Sequence, residues 1–134
     1  MYLTLLSEEQ KKCFLGLAYN LSNIDGDFSE SEKQMLESYC TEMDFVYSDS
    51  IAKVDLEILL ANITSLFDEK SIKVVVFELV GLAMIDDNFD ESEYKMLNKI
   101  IEKFIINSDF IKECENLIKK YLDVQFNINS LILK

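Results

Sequence analysis

The chain has no arginine, no histidine, no proline and no tryptophan, and only three glycines in 134 residues. Each absence removes a chemistry. Without histidine there is no Ser-His-Asp or Cys-His catalysis, no histidine-ligated zinc and no ordinary histidine pH switch. Without arginine there is no bidentate phosphate fork and no arginine finger. With no proline and little glycine, long helices run uninterrupted. Charge of one sign is also scarce: 13 lysines face 25 acids, a net charge of −12. Such a surface repels nucleic acid, which is bound by replacing phosphate counterions with cationic side chains. Anionic membrane surfaces are disfavoured for the same reason. Cations and basic protein surfaces are what it attracts.

Cys13, Cys40 and Cys114 are widely spaced and form no CxxC pair, so neither a zinc ribbon nor a thioredoxin-type site is available. They read as small buried hydrophobes in a reducing compartment. Residues 1–12 lack the basic and apolar regions of a signal peptide. The longest apolar runs, such as Val74–Phe77, fall far short of the roughly 20 residues that span a bilayer. A cytoplasmic protein without a membrane segment is expected. Hydrophobic residues make up 49% of the chain, too many for a disordered acidic tail. The length suits one domain covering residues 1–134.

Apolar residues recur at helical spacing, and strict alternation is nearly absent. Ser7 with Gln10, and Ser29 with Glu32, are capping-box signatures. Asp68, Asp90 and Ser108 or Asp109 are further candidate caps. The pattern predicts six helices, over about 8–23, 30–43, 55–66, 69–84, 91–106 and 109–122. Residues 44–54 read as a less regular connection. The tail, 123–134, alternates weakly through Val124, Phe126 and Ile128, which suits a docked strand-like segment or a short helix. The fold class is therefore all-α, a single helical bundle of about six helices.

An internal repeat organises the bundle. Residues Ile24–Leu36 align without gaps to Ile85–Leu97, with eight of 13 positions identical. Repeat one spans about 8–43 and repeat two about 69–104, each a helix, an acidic turn and a helix. Short turns make the paired helices antiparallel, and two hairpins can pack about an approximate two-fold axis. Gly16 and Ala18 on the first helix, with Gly81 and Ala83 on the fourth, would let those two helices approach closely.

The acidic turns bear two readings. In the first they are helix caps: Ser29 and Asp90 sit at N-cap positions, with Glu32 and Glu93 three residues on. Phe28 and Phe89 precede the caps as candidate staples, and only the second repeat has an apolar partner, Tyr94. In the second reading a hard cation is superimposed. Asp25 and Asp86 have no capping role, and the crowded oxygens suit a divalent ion, calcium favoured. The candidate ligands are Asp25, Asp27 and Glu32 in the first turn, and Asp86, Asn88 and Glu93 in the second. Neither turn is an EF-hand: in the first, Glu30 stands at the sixth position and Leu36 at the twelfth.

Residues Ala18–Leu36, with the core Ile24-Asp25-Gly26-Asp27-Phe28-Ser29-Glu30-Ser31-Glu32, resemble the tellurite-resistance TerB-like family. That family repeats a helix ending in alanine-x-x-alanine-Asp-Gly, a turn of two or three residues, and a glutamate opening a second helix. Leu82–Glu93 resembles its second copy, and the likeness covers about residues 8–122. Asp87 replaces the motif glycine, and Asn20 and Ile24 stand where the family prefers small residues. The resemblance implies a two-repeat helical bundle with a noncatalytic role in bacterial stress systems. It also implies metal-binding acidic residues at Asp25, Glu32, Asp86 and Glu93.

No catalytic nucleophile with an activating base, phosphate-cradling glycine loop or basic substrate-binding group is evident, so no enzyme is expected. The leading expectation is a binding or sensing module with a protein partner. The alternatives are a metal-independent acidic adaptor and a small chaperone with an exposed apolar groove, involving Val124–Leu133.

Overall fold

The computed structural model describes residues 1–24, 26, 29–85 and 89–134. They form seven helices after a single 3-10 turn at Leu3–Leu5. The helices are α1 (Glu8–Ser22), α2 (Glu30–Met43), α3 (Asp49–Ala52), α4 (Leu56–Leu66), α5 (Glu69–Ala83), α6 (Glu91–Glu102) and α7 (Asp109–Ile132). No strand occurs among the described residues.

The cap signatures act as written. Ser7, Ser29, Asp68 and Asp90 each accept a hydrogen bond from the backbone N–H three residues on, and all four form reciprocal capping boxes. The α1 and α5 boundaries differ by 61 residues at both ends, as do the starts of α2 and α6. Equivalent residues also meet: the Gln10 side-chain amide donates to Ser71 Oγ at 3.5 Å and to the Leu66 carbonyl at 2.8 Å. Both are third residues of their helices, so the N-termini of α1 and α5 lie side by side.

The core is one apolar cluster to which every helix except α3 contributes buried side chains. Phe14, Leu17 and Leu21 of α1 and Val75, Leu79 and Leu82 of α5 are almost fully buried within it. Those two helices pack together, as the two-hairpin arrangement requires. The glycines, however, lie elsewhere. A Cβ on Gly16 would sit 2.9 Å from Leu59 Cδ1, so this glycine makes room for α4; Gly81 faces Ile118 of α7. Sequence adjacency to Ala18 and Ala83 does not fix which helix a glycine faces, because successive residues are turned about 100° around the axis.

Two segments differ from expectation. The connection 44–54 contains the one-turn helix α3, whose Ala52 packs with Leu15 and Cys40 in a small second cluster. The tail is neither strand-like nor separate: α7 runs unbroken to Ile132. No proline, glycine or competing cap interrupts it near residue 122. Alternation over three residues lost to the longer 3–4 spacing of Leu117, Tyr121, Val124, Ile128 and Leu131. At its other end, α7 has no side-chain cap from Ser108; Asn107 Oδ1 accepts the Asp109 N–H instead, at 2.8 Å. No described helix is both long and apolar enough to cross a membrane.

Helix α2 ends at Asp44, which takes a left-handed conformation with φ 59°. A side chain is disfavoured there and glycine is not. Asp44→Gly is expected to raise the unfolding free energy by about 0.5–1 kcal/mol, measured by urea denaturation.

Candidate functional site

At the acidic turns the structure describes only part of the expected ligand set. Asp25, Asp27, Asp86 and Asn88 lie outside the described residues, as does Phe28. Glu32 and Glu93 are described and occupy equivalent places. Glu32 Oε1 accepts the Ser29 N–H at 3.1 Å, and Glu93 Oε1 accepts the Asp90 N–H at 3.1 Å. Both side chains are buried, at 9% and 7% exposure. Among the described residues no three or more His, Cys, Asp or Glu cluster as a metal site.

The staple expected in the second turn is formed. Phe89 stacks on Tyr94 with ring centroids 4.0 Å apart. The Tyr94 hydroxyl donates to Glu115 Oε1 at 2.9 Å, which fastens α6 to α7. Burial and this carboxylate push the Tyr94 phenol up to about 12. Asp90→Ala removes the acceptor for the Glu93 N–H. It is expected to cost about 1 kcal/mol of stability, read by thermal or urea unfolding in EDTA.

A second constellation was not anticipated from sequence. Glu42 on α2 and Glu78 on α5 both hold the α-ammonium of Met1, at 2.7 and 2.8 Å. Glu42 Oε2 also accepts the Leu3 N–H, and Glu78 Oε1 the Tyr2 N–H, each at 2.9 Å. The Glu78 backbone carbonyl accepts the buried Tyr39 hydroxyl at 3.0 Å. Burial works against the charged ammonium, but bonds to Glu42 and Glu78, with their charges, outweigh it and raise its pKa above 8.0. Glu78 is only 6% exposed. The available signal was a lone acid within the apolar run Val74–Ala83, at the position equivalent to Leu17.

These carboxylates line part of a groove. The N-terminal turn, α2, α5 and α7 enclose a cavity of about 780 Å³. Its walls are mostly apolar, from Tyr2, Met35, Phe77, Met84, Leu117, Ile118 and Tyr121. From this groove the apolar surface continues along α7. Val124, Ile128 and Leu131 are exposed there, on the same side as Leu117 and Tyr121. The expectation of an exposed apolar surface near the tail therefore has a structural counterpart, carried on a helix.

The cysteines do not join any site. All three are buried, without a disulfide. Desolvation pushes the Cys13 thiol up to about 11, and burial with the charge of Glu113 does the same for Cys114. Thiols of this kind are poor nucleophiles at neutral pH. Comparison with family models, curated proteins and solved structures finds no match to this chain.

Proposed function

We propose that the chain is a noncatalytic, TerB-like helical binding module, in a bacterial stress-response setting, that takes an amphipathic helix of a protein partner. The observation that carries this reading is the apolar groove between the N-terminal turn, α2, α5 and α7, continuous with the exposed apolar side of α7. Grooves of this kind accept the apolar face of a helix through residues spaced i, i+3, i+4 and i+7. The net charge of −12 selects a partner whose polar face is basic. In this scheme apolar contact supplies the affinity and charge supplies the selection and the encounter rate.

The test uses a fluorescein-labelled amphipathic helix of leucine and lysine, and its counterpart with glutamate for lysine. The lysine peptide is expected to bind in EDTA, to weaken as salt is raised, and to lose affinity to a Leu117→Glu variant. The glutamate peptide is expected not to bind. Equal binding of both peptides, or binding of neither, would refute the proposal.

The paired burial of Glu32 and Glu93 favours a second reading, a divalent cation at the two turns, with calcium preferred. NMR shifts at Ser29–Glu32 and Asp90–Glu93 on millimolar calcium would support it; unchanged shifts would end it.

A further inference from the structure

Helix α7 carries one apolar stripe. Its first part packs on the body through Ile111 and Cys114, which are buried. The stripe continues as a seam in which Leu117, Tyr121, Val124, Ile128 and Leu131 follow at intervals of four, three, four and three residues. That is the spacing of the a and d positions of a coiled coil. All five are exposed, from 48% at Tyr121 and Ile128 to 82% at Leu131. The seam extends for about 21 Å at 1.5 Å per residue.

Surface area and charge both bear on what covers it. A compact monomer of 15.6 kDa exposes about 7,250 Å², whereas this chain exposes 8043 Å². The surplus, about 800 Å², is area that a compact chain of this mass does not ordinarily expose. Charge is divided unevenly along the chain. Residues 1–115 carry 10 lysines and 24 acids, but residues 116–134 carry three lysines and one acid. The distal part of α7 is thus the stretch that a second acidic copy does not repel. An antiparallel pairing of two such helices sets the acidic bodies at opposite ends.

We infer that the occupant of this seam is the same helix of a second copy, so that the chain forms a homodimer through antiparallel α7 pairing. The inference rests on the reading of this face as a helix-binding surface, and it names the resident helix. Leu117 and Tyr121 belong to both the groove and the seam, so a foreign helix and the second copy compete for them.

Sedimentation equilibrium of the full chain and of a Val124→Glu/Ile128→Glu variant tests this. The wild-type chain is expected to sediment at twice 15.6 kDa at micromolar concentrations. The variant is expected to associate at least about 100-fold more weakly, with unchanged circular dichroism. Should that variant unfold, Leu131→Glu at the most exposed seam position is read in the same way. A wild-type monomer at about 100 μM, or a variant that still dimerises, overturns the inference. The lysine peptide separates the two proposals. If it binds a monomeric wild-type chain, the dimer fails and the binding module stands. If the wild-type chain dimerises and the folded monomeric variant ignores the peptide, the dimer stands and the groove reading fails.

Discussion

Phe14→Ala is expected to lower the unfolding free energy by about 3–5 kcal/mol. Phe14 is fully buried at the centre of α1 and meets the Tyr39 ring edge-on, with centroids 5.1 Å apart. Truncation loses the transfer free energy of the ring and leaves a void that neighbours fill only in part. The edge-to-face contact adds about 0.5–1.5 kcal/mol to the area term. Tyr39 also donates its hydroxyl to the Glu78 carbonyl, so loosening its ring disturbs α5 as well. For a domain of this length the expected fall in Tm is about 10–15 °C, read by calorimetry. Phe126→Ala is the control: at 71% exposure on α7, it is expected to stay within about 0.5 kcal/mol of wild type. A loss below about 1 kcal/mol at Phe14 would mean that α1 is not the centre of the core.

Glu78→Ala is expected to cost about 2–3 kcal/mol, because it removes a buried acceptor shared by a charged donor and a backbone N–H. Glu42 alone then holds Met1, and the N-terminal turn frays from α5. The pH dependence gives an independent readout. The Met1 ammonium has a folded pKa raised above its unfolded value of 8.0. Its contribution is fully present below pH 8 and disappears as pH climbs through the raised value. Wild-type stability is therefore expected to decline above pH 8, and Glu78→Ala to show a shallower decline. The raised Cys13 and Cys114 thiols act in the same direction, since the unfolded thiols ionise first. They are common to both proteins, so they cancel in the comparison. An equal decline in both would show that the Met1–Glu78 pair contributes nothing to stability.

Local signals in the sequence located the helices well where a cap fixes them. Ser7, Ser29, Asp68 and Asp90 mark helix starts because a side-chain acceptor three residues before a waiting N–H is a strictly local geometry. Helix ends were less legible. Helix α6 stops at Glu102 rather than about 106, where no glycine or proline announces the end. The single turn α3 is set by tertiary packing of Ala52 rather than by a pattern long enough to recognise. The α7 extension was ambiguous because three alternating residues are compatible with both periods.

The candidate sites divide in the same way. Glu32 and Glu93 are placed by local capping and lie at equivalent positions, as their spacing implied. The remaining turn residues of the ligand set lie outside the described residues. The pairing of Glu42 with Glu78 joins residues 36 positions apart with the chain's first residue. No local pattern encodes such a meeting; the N-terminal turn, packed on both α2 and α5, creates it. The groove is likewise a product of four elements brought together, although the apolar character of the tail Val124–Leu133 was legible in the sequence.

The most direct measurement of the binding-module account is an amide NMR titration of the full chain with the leucine–lysine peptide, in EDTA and then in calcium. The account predicts peptide-dependent shifts at Phe77, Leu117 and Tyr121 in both conditions. Shifts confined to the Ser29–Glu32 and Asp90–Glu93 turns, appearing only with calcium and leaving the groove unmoved, would contradict it.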